Sequence, residues 1–234
     1  VQIDTAGLSG RGQLQATVPG ASLQANGQMA PRSGAGTMDL KVADAQRLQR
    51  WIETLPGGAG ALQGALLEGN ATLATRWNGG WQTLQRQLHA AGLLGGAAPE
   101  GGAGGSGFTL QAQLDTPRLK ADLPPRPGTN TGPQSLQLTD VQANLSGSLQ
   151  QFTLAWDGHL RQGEQRATLR LRAGGGHAGA PGNWRAQIGE LRVVASIDKQ
   201  PGPWTLQLAQ PLSVTARQKP TLLIETSAGG ASVT

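Results

Sequence analysis

The stretch Phe108-Thr109-Leu110-Gln111-Ala112-Gln113-Leu114 places an apolar residue at every second position, with Thr or Gln between them. Successive side chains of a β-strand point to opposite faces, so this alternation predicts a strand with one apolar and one neutral polar face. The same period of two recurs in segments 14–18, 23–25, 136–138, 141–145, 152–157, 167–172, 204–208 and 212–217. The repetition predicts a mainly β protein built as a meander of antiparallel strands.

Two segments have helical spacing instead. The first begins at Asp44, a favourable N-cap, and its apolar residues recur at i, i+3, i+4 and i+7: Leu48, Trp51, Ile52 and Leu55. Pro56-Gly57-Gly58 is expected to stop it. The second runs from about Asn78 to Ala91 and has one stripe, formed by Trp81, Leu84 and Leu88. We expect these two short amphipathic helices to flank a strand within residues 60–77 and to cap a sheet edge or groove mouth.

Glycine and proline divide the rest of the chain. We predict turns at Gly158, at Gly163 and in the runs 174–176, 181–182 and 201–203. The run GGAAPEGGAGGSG, residues 95–107, predicts a linker or a long surface loop, and residues 124–134 predict a second loop. The chain thus divides into a β segment with two helices (1–94), the Gly-rich linker (95–107) and a second β segment, the β-groove segment (108–234).

Composition excludes several classes of site. The 234 residues contain no Cys, which excludes disulfides, Cys-ligated zinc and a Cys nucleophile. Only 14% of the residues are charged and the net charge is +5, with 9 basic and 4 acidic residues after residue 159. We interpret this bias as a solvated face rather than a nucleic-acid site. No apolar run approaches the length of a membrane span, and the start at Val1 without Met indicates a piece cut from a longer protein.

The apolar faces of the strands need an apolar surface or ligand to cover them, and two arrangements of the sheet remain open. A filled sandwich normally needs many large side chains, whereas this chain has 2 Phe and no Tyr. An elongated, curled antiparallel or mixed sheet, with a groove lined by Leu, Ala and Val, fits at least as well. We expect that groove to hold acyl chains and to be lined by Leu110, Ala112, Leu114, Leu136, Leu138, Ala143, Leu145, Leu154, Trp156, Leu169, Leu171, Leu206, Leu208 and Val214.

Residues 44–91 resemble the recurrent unit of TamB-like proteins, which belong with the AsmA-like bridge proteins. The resemblance lies in a short helix followed by Leu55-Pro56-Gly57 and by the Gly-x-Leu-x-Gly strand motif of residues 60–64. Residues 184–214 are also similar to the family, in Trp184, the Trp204-x-Leu206 pair and Pro211-Leu212. Residues 147–171 are similar to its preceding strand pairs, so that the resemblance covers about two thirds of the chain.

The resemblance implies a U-shaped β-taco with an apolar lumen, phospholipid transport between the inner and outer membranes, and outer-membrane protein assembly. It also implies a periplasmic location, an inner-membrane anchor helix outside this segment, and an outer-membrane barrel partner of the TamA type. It supplies no catalytic residues. A second hypothesis is a scaffold or docking module that binds an assembly factor by β-augmentation, without lipid conduction.

The sequence contains no motif typical of a catalytic or metal site. The histidines, His89, His159 and His177, have no second His or carboxylate at ligand spacing, and we place His177 in a Gly-rich loop. Acidic residues are scattered singly, and no nucleophile elbow or phosphate-binding loop is present. We therefore predict a protein that is not an enzyme, has no cofactor and binds no nucleic acid.

Overall fold

A computed structural model describes residues 2–4, 9–55, 65–94, 107–124, 134–179, 182–197, 200–218, 222–227 and 231–233. They form one open antiparallel sheet and two helices. The strands are β1 Gln2–Asp4, β2 Ser9–Val18, β3 Ala21–Met29, β4 Gly34–Val42, β5 Leu66–Asn78, β6 Thr109–Leu123, β7 Gln134–Gly147, β8 Phe152–Gln162, β9 Gln165–His177, β10 Asn183–Ser196, β11 Trp204–Leu208, β12 Leu212–Gln218, β13 Leu222–Ser227 and β14 Ala231–Val233. The helices are α1 Ala45–Glu53 and α2 Trp81–Ala90.

The strands from β1 to β10 are ordered in the sheet as they are in the chain. β11 and β12 then lie end to end along β10, with Leu206 opposite Val193 and Val214 opposite Ala186. β14 pairs with β11, and β13 pairs with β12. β5 and β6 pair along most of their length, so the β segments on either side of the Gly-rich linker share one sheet.

Both helices form where helical spacing predicts them. Asp44 caps α1, because its Oδ1 accepts a hydrogen bond from Arg47 N at 2.9 Å. α2 begins after Gly80, which has no capping side chain. The predicted stop at residues 56–58, the Gly-x-Leu-x-Gly motif at 60–64 and most of the linker, residues 95–106, lie outside the described residues, as do residues 125–133 of the second loop.

Two of the predicted turns are wrong. Gly158 lies in the middle of β8, and residues 174–176 lie within β9, where all three pair with β10 and Gly174 and Gly175 also pair with β8. Glycine has no side chain to show period two, so a strand that uses glycine for close packing looks like a turn. At Gly175 a Cβ atom would lie 2.5 Å from the Arg185 carbonyl oxygen, which explains the glycine. His177 accordingly ends a strand instead of lying in a loop.

The sheet is curled, and the contacts at the two ends of α2 show how strongly it curves. The helix starts at the β3–β4 turn, where Trp81 N donates to Ala30 O at 3.1 Å. It ends at the β9–β10 turn, where Gly182 N donates to Ala91 O at 3.2 Å. Six strand spacings separate these turns, about 29 Å along the sheet, whereas the helix between them is about 15 Å long. The sheet therefore curves around α2.

Register shifts bend the strands near their middles. They occur in the β5–β6, β7–β8 and β9–β10 pairs, and Asp140 adopts a φ of 52° at the β7 shift. Bulges increase the local bend and twist of a strand. Beside this line Thr116 pairs with Val141, and these residues are only 3% and 4% exposed, so the deepest part of the sheet lies there.

The curled sheet has no second sheet over it among the described residues, which excludes a filled sandwich for that part of the chain. Few of the described residues are buried, and none with a large side chain is fully buried, which agrees with an open trough rather than a closed core.

Candidate functional site

The candidate site is the apolar face of the curled sheet, called here the trough. Residues opposite each other in an antiparallel pair project from the same face, so the register assigns every strand residue to a face. It places all the residues predicted to line a groove on this face, through pairs such as Leu114 with Ala143, Leu145 with Leu154, and Leu171 with Trp156. Their role in binding lipid stays a prediction.

The trough extends well beyond those residues. On one side it continues across β5, β4 and β3 through Leu73, Leu40 and Leu23, which are mutually paired. On the other side it includes Ile188 and Leu191 of β10, opposite Ala173 and Leu171. Sequence reasoning did not assign these positions to the groove, although Leu23 lies in a period-two segment and Leu40 alternates with Met38 and Val42.

In the described strands β2 to β12, charge is confined to the opposite face. Among the paired positions of β2 to β12 in the described chain, none on the trough side is Asp, Glu, Lys or Arg. On the polar face Asp157 accepts hydrogen bonds from Arg170 Nε at 2.9 Å and from Arg172 Nη2 at 2.6 Å. Partial burial raises the pKa of Asp157, but the hydrogen bonds and the positive charges of the two arginines together lower it by more, so the pKa lies below its ordinary value.

Apolar side chains line the trough but remain partly exposed to solvent. Most of its side chains are half-buried, and Leu14 and Leu206 are 51% and 36% exposed. No large side chain in the described part of the chain is fully buried. A continuous exposed apolar surface of this extent is rare on monomeric soluble proteins and usually marks a binding surface.

α2 covers one end of the trough. Its Leu84 and Leu88 face Leu110 and Leu145 of the sheet across a cavity of 280 Å³, called here the α2 cavity. Phe108, Phe152 and Trp184 also line it. Leu84 and Leu88 of the predicted stripe thus lie over the trough mouth but are only half-buried, and the buried side chains of α2 are Thr83 and Gln87.

Two polar atoms at this end are buried without a hydrogen-bond partner in the described structure, namely Gln87 Oε1 and Trp77 Nε1. Gln87 is 8% exposed and lines the α2 cavity. Trp77 pairs with Leu110, another residue of the cavity wall, and its indole lies over Gly36. Buried polar atoms are usually paired, so each unpaired one needs an explanation.

α1 occupies the other end of the strands and buries a glutamine in a different way. Gln49 is 4% exposed. Its Nε2 donates to Ala65 O at 2.7 Å, and its Oε1 accepts from Leu67 N at 2.8 Å. β4 pairs with β5 only as far as Ala71, so Gln49 supplies the hydrogen bonds where the neighbouring strand ends.

The histidines lie apart from one another. His89 is on α2, His159 Nδ1 lies 3.0 Å from Thr168 Oγ1 on the polar face, and His177 meets Trp184 edge-on with ring centroids 5.9 Å apart. The described residues contain no cluster of His, Asp and Glu suited to hold a metal ion. Neither described helix is long and apolar enough to cross a membrane.

The chain was compared with known proteins in three ways. No family model, no curated protein and no solved structure matches it.

Proposed function

We propose that the trough binds phospholipid acyl chains and conducts them along the sheet, as one segment of a periplasmic bridge between the inner and outer membranes. The supporting observation is the continuous apolar face, free of charged side chains at its paired positions and open to solvent. Acyl chains need an apolar surface and no specific hydrogen bonds, so a smooth face of Leu, Ala and Val suits many lipids and does not hold one in place.

The strand spacing supports movement of an acyl chain from strand to strand across the trough. Neighbouring strands lie about 4.8 Å apart, and each adds similar apolar side chains, so an acyl chain passing from β6 to β10 meets a nearly uniform surface. The polar face carries the charges, and that separation leaves no ionic barrier on the path. The bridge setting comes from the TamB-like resemblance, which also proposes an outer-membrane barrel partner and an inner-membrane anchor.

The test uses neighbouring residues on opposite faces of β9. A photo-crosslinking amino acid at Leu171 should label phospholipid in cells and in the purified chain, whereas one at Thr168 should not. Leu171→Asp should lower the phospholipid bound to the purified chain by about tenfold, because an unpaired charge in an apolar site costs more than 1.4 kcal/mol. Thr168→Asp should leave it unchanged. Equal labelling at both positions, or equal lipid content in both Asp variants, contradicts the proposal.

A docking role is the second candidate, because the described outer strands β1, β13 and β14 each pair along one side only. Free strand edges can accept an added strand from a partner. This function predicts a purified chain without bound phospholipid that nevertheless binds an outer-membrane assembly factor. Mass spectrometry of the purified chain separates the two candidates.

A further inference from the structure

The α2 cavity differs from the rest of the trough in being enclosed on both sides. Leu84 and Leu88 form its helical wall, and Leu110, Leu145 and Phe152 form its sheet wall. An apolar cavity of about 150 Å³ holds one benzene molecule, so the 280 Å³ here corresponds to a hydrocarbon of about twelve carbon atoms. A straight alkyl chain of that size matches both the volume and the lining.

Gln87 gives the cavity a polar contact. Its side chain is more than nine-tenths buried, it lines the cavity, and its Oε1 has no partner. An amide oxygen is only an acceptor, so the group that satisfies it must be a donor. Leaving a buried acceptor unpaired costs free energy, and a ligand that brings a donor recovers that cost on binding.

We propose that the α2 cavity binds one alkyl chain whose hydroxyl group donates a hydrogen bond to Gln87 Oε1. The ligand class is a monoacyl or monoalkyl amphiphile with a hydroxyl at its polar end. This inference rests on the proposed function, because alkyl chains must reach the trough before one enters the cavity. The cavity thus adds selectivity for one class of alkyl chain at one end of the trough, whose remaining surface accepts any alkyl chain.

The test compares two probes that differ only in the donor. The delipidated chain is titrated with dodecan-1-ol and with its methyl ether, and binding is followed by calorimetry. Brominated forms of both probes should quench Trp184, which lines the cavity. We expect the alcohol to bind about three- to tenfold more tightly than the ether, the difference that one hydrogen bond to a buried acceptor makes.

Two kinds of variant locate the effect. Gln87→Met should remove the preference for the alcohol while the ether still binds, whereas Gln85→Met, on the same helix but outside the cavity lining, should preserve the preference. Leu145→Phe, with Leu84→Phe as a second choice if the first does not fold, should weaken both probes at least tenfold by filling the cavity. A preference that survives Gln87→Met, or binding that survives the filled cavity, overturns the proposal. If one of these two results is found while phospholipid still labels the crosslinker at position 171, only the cavity proposal fails. If that labelling is also absent, the proposed function fails as well.

Discussion

The two helices of this chain bury the same residue type with opposite results. On α1, both polar atoms of Gln49 are bound, to the backbone of Ala65 and Leu67. On α2, Gln87 Oε1 has no partner and lines a cavity. Gln49 supplies hydrogen bonds at the start of β5, whereas no described residue satisfies Gln87 Oε1, which is the acceptor that the proposed ligand would use. Burial alone therefore does not separate structural from functional polar residues; the partner of each atom does.

The largest effect expected from this comparison is on stability. Gln49→Leu should lower the free energy of unfolding by about 2–4 kcal/mol, because it leaves a buried N–H and a buried C=O unpaired. Gln87→Leu should change it by less than about 1 kcal/mol, because it removes an acceptor that is already unpaired. Urea unfolding of both variants measures the difference. Gln46→Leu, at an exposed site on α1, controls for helix propensity, and equal losses for Gln49 and Gln87 would contradict the distinction.

A smaller effect is expected at the helix caps. α1 is capped by the Asp44 side chain, whereas α2 starts at Gly80 without one. Asp44→Ala should destabilise the chain by about 1 kcal/mol, and Asp44→Ser should restore most of that loss by capping in the same way. The chemical unfolding midpoint is again the measurement. A loss in Asp44→Ala that Asp44→Ser does not reduce would show that Asp44 acts otherwise than as a cap.

The smallest effect lies away from both helices, on the polar face. The pKa of Asp157 is lowered in the folded chain, so its contribution to stability is present above its ordinary pKa and is lost as the pH falls through the folded value. Between about pH 5 and about pH 3 the stability of the wild type should therefore fall slightly more than that of Asp157→Asn. Thermal unfolding at both pH values tests this, and parallel curves would mean that the ion pairs with Arg170 and Arg172 contribute nothing.

The sequence alone predicted which strand residues share a face of the sheet, because alternation is a local property that each strand repeats. It failed where the pattern depends on side chains that are absent or on distant contacts. Residues 174–176 show no alternation because they are glycines, and segments 136–138 and 141–145 are one strand joined across the shift at Asp140. A curled sheet was predicted from the sequence, but the degree of its curvature was not predictable, because it depends on which turns α2 contacts.

Gln87 illustrates the same limit within the candidate site. It lies three residues after Leu84 and four before the fully covered Ala91, so helical spacing does place it on the buried stripe. A polar residue is, however, usually expected on the solvent side of an amphipathic helix. A glutamine at a stripe position is thus a usable signal, although only the structure shows whether its amide is satisfied, as at Gln49, or left open.

The neighbour-to-neighbour order of the strands has a consequence for how such a molecule is built and enlarged. From β1 to β9 each strand bonds only to its neighbours in the chain, so the sheet can form progressively as the polypeptide emerges. Duplicating one hairpin would add about 10 Å to the curved wall of the sheet. The extent of that wall is thus an adjustable quantity, set by gene length through repetition of a simple unit.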